Sequence, residues 1–274
     1  MAAPKTSETE PKFWRDAALP FIEARSVQDG RKVCYGRDSH ETLSIGVVSK
    51  GRCHYLNSGR TERIGAGTVV LMNPGDVHAC NPIDNGPWGY SMLYFDVSWA
   101  CEIQRDLGVS PGDRFVPFAA LATHRPELCH GLNHLFATLI DPEVEHLRKH
   151  SAAIIFMTAA QQTLGAAPQR HAPPPNLARA AQFIRQNCTR SLKLEEICAQ
   201  VNLSASHLIR SFKGEYGLTP HSYQINCRIE FCRARLRQGR EIAEVALEAG
   251  FSDQAHLQRL FKKFVAATPG QYRA

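Results

Sequence analysis

A chain of 274 residues, 43% of them hydrophobic, is long enough for about two globular domains, each with its own core. Its formal charge of +6 sits wholly in one part: residues 176–274 hold 15 Lys and Arg against 8 Asp and Glu, a net of +7, while residues 1–175 hold 17 against 18, a net of −1. Nine cysteines, with no CxxC spacing, argue against a disulfide or structural-zinc framework. The start MAAPKTSETEPK lacks the apolar core of a signal peptide, and the uncharged run 151–169 is broken by Gln161, Gln162, Gly165 and Pro168, so a cytoplasmic location with no membrane span is expected.

Residues 1–12 are polar and expected to be disordered. From 13 to 96 short β-rich runs alternate with turn residues, in LSIGVVSKG, RCHYL, NSGR, TERIGAGTVVLMNPGD and WGYSMLYFD. Closely spaced strands punctuated by Gly, Asn and Pro predict an all-β barrel or sandwich, assigned to residues 13–118. In the last strand, period-two alternation puts Trp88, Tyr90, Met92 and Tyr94 on one face and Gly89, Ser91, Leu93 and Phe95 on the other, and leaves open which face points inward.

After Asp96 the pattern changes. Leu128, Leu132, Leu135 and Leu139 follow the breaker Pro126 at helical spacing, and Pro142 separates them from 144–164, whose apolar positions include Val144, Leu147, Ile154, Ile155 and Met157. Two antiparallel helices over 119–164 are predicted. Their leucine stripe could cover the β-sheet or join two copies of the chain. GAAPQRHAPPP, at 165–175, reads as a semi-rigid polyproline linker. A helix over 177–187, with Leu177, Ala181 and Ile184 on one face, then opens the basic region.

That region says nearly the same thing twice. LEEICAQVNLSASHLIRSFK begins at Leu194 and IAEVALEAGFSDQAHLQRLFK at Ile242. Leu194, Ile197 and Leu203 fall on Ile242, Val245 and Phe251 at an offset of 48, while His207, Leu208, Arg210, Phe212 and Lys213 fall on His256, Leu257, Arg259, Phe261 and Lys262 at 49. Each copy is a short amphipathic helix, a break at Asn202 or Gly250, and a second amphipathic helix. The N-cap of that second helix falls to Ser204 in the first copy and to Ser252 or Asp253 in the second. This is a helix-turn-helix layout, over about 194–215 and 242–264. Residues 220–237 between the copies read as one helix with Tyr223, Ile229, Cys232 and Leu236 buried. At 1.5 Å per residue it is about 27 Å long, enough to hold two recognition helices about one duplex turn apart.

The second helix of such a unit enters the major groove. Away from its apolar face the first copy offers Ser206, Ile209, Arg210 and Lys213; the second offers Gln254, Ala255, His256, Gln258, Arg259 and Lys262. Arg can hold guanine through two hydrogen bonds, Gln can do the same with adenine, Ala can pack on a thymine methyl and Lys can meet a phosphate. The plainer alternative is a solvated surface whose arginines pair with nearby carboxylates. The duplication, on the only cationic part of the chain, favours double-stranded DNA as the partner.

From about Asn176 to its end the sequence resembles the two-motif DNA-binding domain of the AraC/XylS regulators, on IAEVALEAGFSDQAHLQRLFKKFVAATPGQYR and on SFKGEYGLTPHSYQ. It departs from the family at Cys198, where the first helix usually has Ala, and at Ala266, where the first copy has Gly217. Residues 13–118 resemble the cupin-type sensor domain found at the amino end of many such regulators, on GTVVLMNPGDVHACNP and the strand that follows. The resemblance implies a small-molecule effector on the face of Tyr90 and Met92, with His40, Lys50, His78 and Cys80 near the mouth or wall. It also implies a homodimer contact through the helices at 119–164. Enzymatic cupins hold a metal on two His and a Glu; here GRCHYL offers only His54 and the second motif only His78, so no metal, cofactor or catalytic residue is expected.

The expected fold class is α+β in two domains: a cupin-like β-barrel with a helical pair, then an all-α tandem helix-turn-helix domain at 176–274. The expected function is sequence-specific regulation of transcription, controlled by an effector in the barrel. Activation through RNA polymerase is the commoner outcome in the family. The competing expectations are a cupin-type metalloenzyme fused to a DNA-binding tail, which needs clustered metal ligands, and a thiol-based sensor, for which Cys80 looks solitary in sequence.

Overall fold

A computed structural model describes residues 10–31, 35–110, 114–168 and 172–273. Of the polar start at 1–12, residues 1–9 lie outside them, as does the linker centre at 169–171; Lys12, expected to be disordered, instead belongs to a strand. The chain divides into two compact units: Met1–Val33 with His40–Arg170, and Cys34–Ser39 with His171–Ala274.

In the first unit the strands are β1 (Lys12–Trp14), β2 (Ile22–Val27), β3 (Leu43–Lys50), β4 (Arg52–Asn57), β5 (Arg60–Gly65), β6 (Val69–Met72), β7 (His78–Pro82), β8 (Gly89–Phe95) and β9 (Ala122–Thr123). They are hydrogen-bonded as a six-stranded sheet, β1-β2-β8-β3-β6-β9, and a three-stranded one, β5-β4-β7. The closed barrel expected from the sequence is therefore corrected to two separate sheets. Turn punctuation locates strands but carries no information on whether the last strand pairs with the first.

The register settles the two-faced strand. Leu93 lies opposite Ala24 and Ile45, and Phe95 opposite Ile22 and Leu43. These residues join one core with Trp99 of helix α1 (Val97–Asp106), Leu128, Leu132, Leu135 and Leu139 of α2 (Pro126–Ile140), and Phe156 and Met157 of α3 (His146–Leu164). Helix α1 was not foreseen: Asp96, which ends the strand, also caps it, its carboxylate accepting from the Ser98 and Trp99 amides at 2.9 and 3.1 Å. All four leucines of the stripe are at most 1% exposed, so they cover the sheet and are not a surface for a second copy. On α3 it is Leu147, Ile154 and Ile155 that stand exposed.

The second unit is helical: α4 (Pro175–Gln186), α5 (Leu194–Val201), α6 (Ala205–Tyr216), α7 (Pro220–Arg237), α8 (Ile242–Glu248), α9 (Gln254–Val265) and α10 (Pro269–Arg273). The duplication is visible in the backbone. Asn202 and Gly250 sit at φ 52° and 79° at the turns, and Gly217 and Ala266 at φ 69° and 51° after the second helices. Ala266 thus adopts the left-handed conformation that Gly217 supplies in the first copy, at a local cost of about 1 kcal/mol. Ser204 caps α6, accepting from the His207 amide, and Asp253, not Ser252, caps α9, accepting from the His256 amide.

Helix α7 is the spine of this unit. Tyr223, Ile229, Cys232 and Leu236 are buried on it, and so are polar residues with specific tasks. Arg228 donates to the carbonyls of Cys188, Gly250 and Arg190 at 2.6, 2.7 and 2.9 Å, and Gln224 donates to those of Cys188 and Arg190. These bonds hold the turn of the second motif against the 188–190 loop, where a Cβ on Gly250 would lie 2.0 Å from the Thr189 carbonyl oxygen. Residues 35–39 also belong here. Ser39 and Asn226 exchange backbone-to-side-chain hydrogen bonds, the Gly36 amide donates to the Lys263 carbonyl, and Asp38 lies buried 3.8 Å from Arg233.

Candidate functional site

Two groups of residues can carry function, one in each unit. In the second, the recognition helices present polar faces because their apolar faces are consumed. Leu208 and Phe212 of α6 and Leu257 and Phe261 of α9 are each fully buried, which orients each helix about its axis. Ser206, Ile209, Arg210, Lys213, Gln254, Ala255, Gln258, Arg259 and Lys262 are all exposed. His256 is the exception among the expected contacts: its ring lies on Phe251 at 5.3 Å and its Nδ1 is 3.1 Å from the Ser252 hydroxyl, so it serves the cap of α9.

Charge pairing separates these faces from the rest of the unit. Arg190 pairs with Glu196, Arg233 with Glu230, Arg240 with Glu244 and Glu248, and Arg273 with Glu241, at 2.6 to 3.3 Å. Among the described residues no ion pair engages Arg210, Lys213, Arg259 or Lys262. The acids of those pairs hold cations elsewhere, and these cations of α6 and α9 stay outside ion pairs, although the carboxylate of Asp253, the cap of α9, feels the charge of Arg259; a phosphate- or base-contacting surface requires cations that are not locked to a carboxylate. Among the described residues the alternative in which Arg210 and Arg259 pair with nearby carboxylates finds no ion pair at either residue; at Arg259 it is met only by the longer-range attraction of Asp253.

In the first unit, the face of the large sheet turned away from the helices carries Tyr90, Met92 and Tyr94. Arg25 shares it, opposite Met92, as do Gly46 and Ser44, opposite Met92 and Tyr94. The small sheet contributes Cys53, Tyr55, Asn57, His78 and Cys80 from its facing side, tied across by the Tyr55 hydroxyl donating to the Leu71 carbonyl at 2.7 Å.

Of the residues expected to bind an effector, the structure brings His40 and His78 together, with ring centres 4.7 Å apart, and sets His40 5.7 Å from the ring of Tyr94. His40 Nδ1 is 3.0 Å from the Thr42 carbonyl and its Nε2 3.4 Å from the Ser44 hydroxyl; His78 Nδ1 is 2.9 Å from the Asp76 carbonyl. Further along the face, Tyr90 stacks on Trp88 at 4.9 Å and receives the guanidinium of Arg25 at 5.8 Å. Met92 fits because Gly46 is opposite, where a Cβ would stand 2.6 Å from its methyl carbon. Lys50 is not part of this group: it is exposed beyond a bulge, opposite Gly89, and its charge bears on Asp29.

Arg25 escaped the sequence reading, although an arginine 2% exposed is the most expensive residue on that face. The signal was IEARSV, in which the alternation of Ile22, Ala24 and Ser26 puts Arg25 on the face away from Ala24. Trp88, 1% exposed, has no hydrogen-bond acceptor for its Nε1 among the described residues. Cys80 is not solitary either, because its sulfur lies 3.3 Å from that of Cys53. His54 points to the other side of β4. Among the described residues no three His, Cys, Asp or Glu side chains gather as metal ligands, and no helix is long and apolar enough to cross a membrane.

Residues 22–156 match the family described as AraC-like ligand binding domain, and residues 197–274 a helix-turn-helix domain family. Over 233 residues the chain is 28% identical to an HTH-type transcriptional regulator of Bacillus subtilis, covering 80% of this chain and 79% of that one. It is 26% identical over 257 residues to the XylDLEGF operon transcriptional activator 1 of Pseudomonas putida, covering 89% and 74%. Among solved structures, apo ToxT from Vibrio cholerae shares the fold, with a TM-score of 0.59 at 12% identity over 92% of this chain and 96% of that one.

Proposed function

The chain belongs to the AraC/XylS family of transcriptional regulators, with an AraC-type ligand-binding domain and a helix-turn-helix DNA-binding domain, and from that premise we propose which residues read DNA, what the effector looks like and how the two are coupled. Recognition helices α6 and α9 enter successive major grooves. Arg210, Gln254, Gln258 and Arg259 meet base edges, Ala255 packs on a thymine methyl, and Lys213 and Lys262 meet phosphates. The observation that carries this reading is the contrast in ion pairing: among the described residues these cations are exposed and in no ion pair, while Arg190, Arg233, Arg240 and Arg273 are paired.

The effector is a small molecule with an apolar or aromatic body and an acidic or hydrogen-bond-accepting group. The body rests against Tyr90 and Met92, and Arg25 and the Trp88 Nε1 take the polar end. His40 is one residue from Ser39, which Asn226 of α7 holds, so an effector touching His40 and His78 bears on the segment that docks on the spine between the two recognition helices. It shifts the population between DNA-binding arrangements only by the difference in its affinity for them. Two copies associate through the exposed α3 face of Leu147, Ile154 and Ile155, and the DNA-bound dimer touches RNA polymerase.

The test has two arms on the full chain. Selection from a random oligonucleotide pool is expected to enrich one motif with two half-sites. A thermal-shift screen is expected to favour aromatic or aliphatic carboxylates over amines and sugars, and to lose that response in Arg25→Met. Recovery of no preferred sequence would overturn the DNA reading, and a carboxylate response that survives in Arg25→Met would overturn the effector reading.

A further inference from the structure

The cysteines of the first unit include one pair placed by strand register. Cys53 is the second residue of β4 and Cys80 the third of β7; Cys53 lies opposite Pro82 and Cys80 opposite Tyr55, so the two are diagonal neighbours on the same face of the small sheet. Their sulfurs are 3.3 Å apart and both are free thiols. Cys53 is fully buried, while Cys80 is partly open to solvent. A disulfide bond is about 2.0 Å long, so closure needs roughly 1.3 Å of approach. The ladder can give where it is needed, because β7 ends at Pro82, which has no amide to bond.

We propose that Cys53 and Cys80 form a reversible dithiol modification site, closed to an intramolecular disulfide by a hydroperoxide. Cys80, the less buried residue of the two, attacks as thiolate the terminal peroxide oxygen; the O–O bond breaks, the alkoxide or hydroxide leaves and takes up a proton, and Cys80 becomes a sulfenic acid. Cys53, already in van der Waals contact, then attacks the Cys80 sulfur; the S–O bond breaks and water departs with the Cys53 proton. Two thiols and one hydroperoxide give one disulfide, one alcohol (or water) and one water, with two electrons passing from sulfur to oxygen.

The contact with the Cys53 thiol, reinforced by burial, holds the Cys80 thiol well above its ordinary pKa. At low oxidant exposure the site therefore stays reduced, and the resolving thiol captures the sulfenic acid before it oxidises further. The consequence reaches the effector face through the strand: Cys80 is two residues from His78 and directly opposite Tyr55, so closing the pair pulls on both. The inference stands on the geometry of β4 and β7 and does not depend on what the effector is.

The test is peptide mapping by mass spectrometry of the full chain, treated with hydrogen peroxide and then alkylated. The expected result is a Cys53–Cys80 linked peptide, lighter by two hydrogens than the reduced pair, as the dominant disulfide, with full recovery by dithiothreitol. In Cys53→Ser the same dose is expected to drive Cys80 to sulfinic or sulfonic acid instead; Cys53→Ala, with circular dichroism to verify the fold, serves if the serine variant does not fold. A second arm uses phenylarsine oxide, which bridges neighbouring thiols: one equivalent is expected to protect both cysteines from alkylation in the wild type and to leave Cys80 unprotected in Cys53→Ala. Cys80 sulfinic acid in the wild type, disulfides only among other cysteines, or no protection by the arsenical would each overturn the proposal.

Discussion

Replacing Arg228 with Met keeps the aliphatic stem and removes the guanidinium that donates to the carbonyls of Cys188, Gly250 and Arg190. Two of those three oxygens keep a second donor, because Gln224 also reaches Cys188 and Arg190, at 3.2 and 2.9 Å. The Gly250 carbonyl loses its charged donor outright. A hydrogen bond to a charged group contributes about 1.5–3 kcal/mol, and a half-compensated one less, so the loss should be roughly 2–4 kcal/mol. Arg228→Lys should recover at most part of it, since one ammonium cannot meet three carbonyls fanned about a planar fork. The assay is urea unfolding of the full chain followed by circular dichroism at helical wavelengths, because Trp14, Trp88 and Trp99 all belong to the first unit and do not report on the second. DNA binding should weaken in parallel, as the turn that aims α9 loosens. A loss below about 1 kcal/mol would falsify the role given to α7, and would mean that the Gly250 turn holds itself.

Four further outcomes are expected. Arg259→Ala should weaken binding to a selected sequence by about 1–3 kcal/mol and relax preference at one base pair, whereas Lys262→Ala should weaken all sequences alike and flatten the salt dependence; titrations on selected and random DNA at two salt concentrations separate them. Burial pushes the Asp38 carboxyl up to about 7 against the pull of Arg233, with Glu230 raising it further. The folded state therefore holds this proton more tightly than the unfolded one, so the stability it contributes is present at low pH and is lost as pH rises from about 4 through 7. Protection factors at residues 35–39, with the intrinsic pH dependence of amide exchange divided out, should fall over that window in the wild type, and Asp38→Asn should remove that fall. Gly46→Ala should cost about 1–3 kcal/mol, because the added methyl would meet Met92 and the Ser91 carbonyl oxygen at 2.6 and 2.8 Å; an unchanged melting temperature would show that β3 and β8 can separate. Finally, Leu147→Glu with Ile155→Glu should shift sedimentation from dimer to monomer without loss of fold, whereas a dimer that survives must use another face.

The deeper difference between these predictions is where their information resides. Helical periodicity made α2, α7 and the recognition helices legible, since burial of one stripe is a local consequence of 3.6 residues per turn; α3 was expected as a helix too, but of the apolar positions named for it Leu147, Ile154 and Ile155 stand exposed and Met157 is buried. The long helix was expected at 220–237 and is found at Pro220–Arg237. Strand pairing is not local. Strands β1 and β7 carry too few residues to show a period, and in β2 the apolar–polar alternation of Ile22, Glu23, Ala24 and Arg25 breaks at Ser26 and Val27. Sheet closure depends on which edges meet, so the expected barrel became two sheets. The leucine stripe shows the same limit: spacing identified an apolar face but could not say what would cover it, and the sheet, not a second copy, does.

What the sequence determined by itself was the duplication, its polar faces and its charge, because helix propensity, caps and side-chain type act within a few residues. The left-handed turns at Asn202 and Gly250 were written there too. Only the tertiary structure decided which cations stay outside ion pairs, that Arg25 lies beside Tyr90, that Lys50 stands apart from His40 and His78, and that Cys80 has a thiol beside it. Each is a meeting of residues distant in sequence, 27 positions apart for Cys53 and Cys80, and is fixed by register and packing that no local rule encodes.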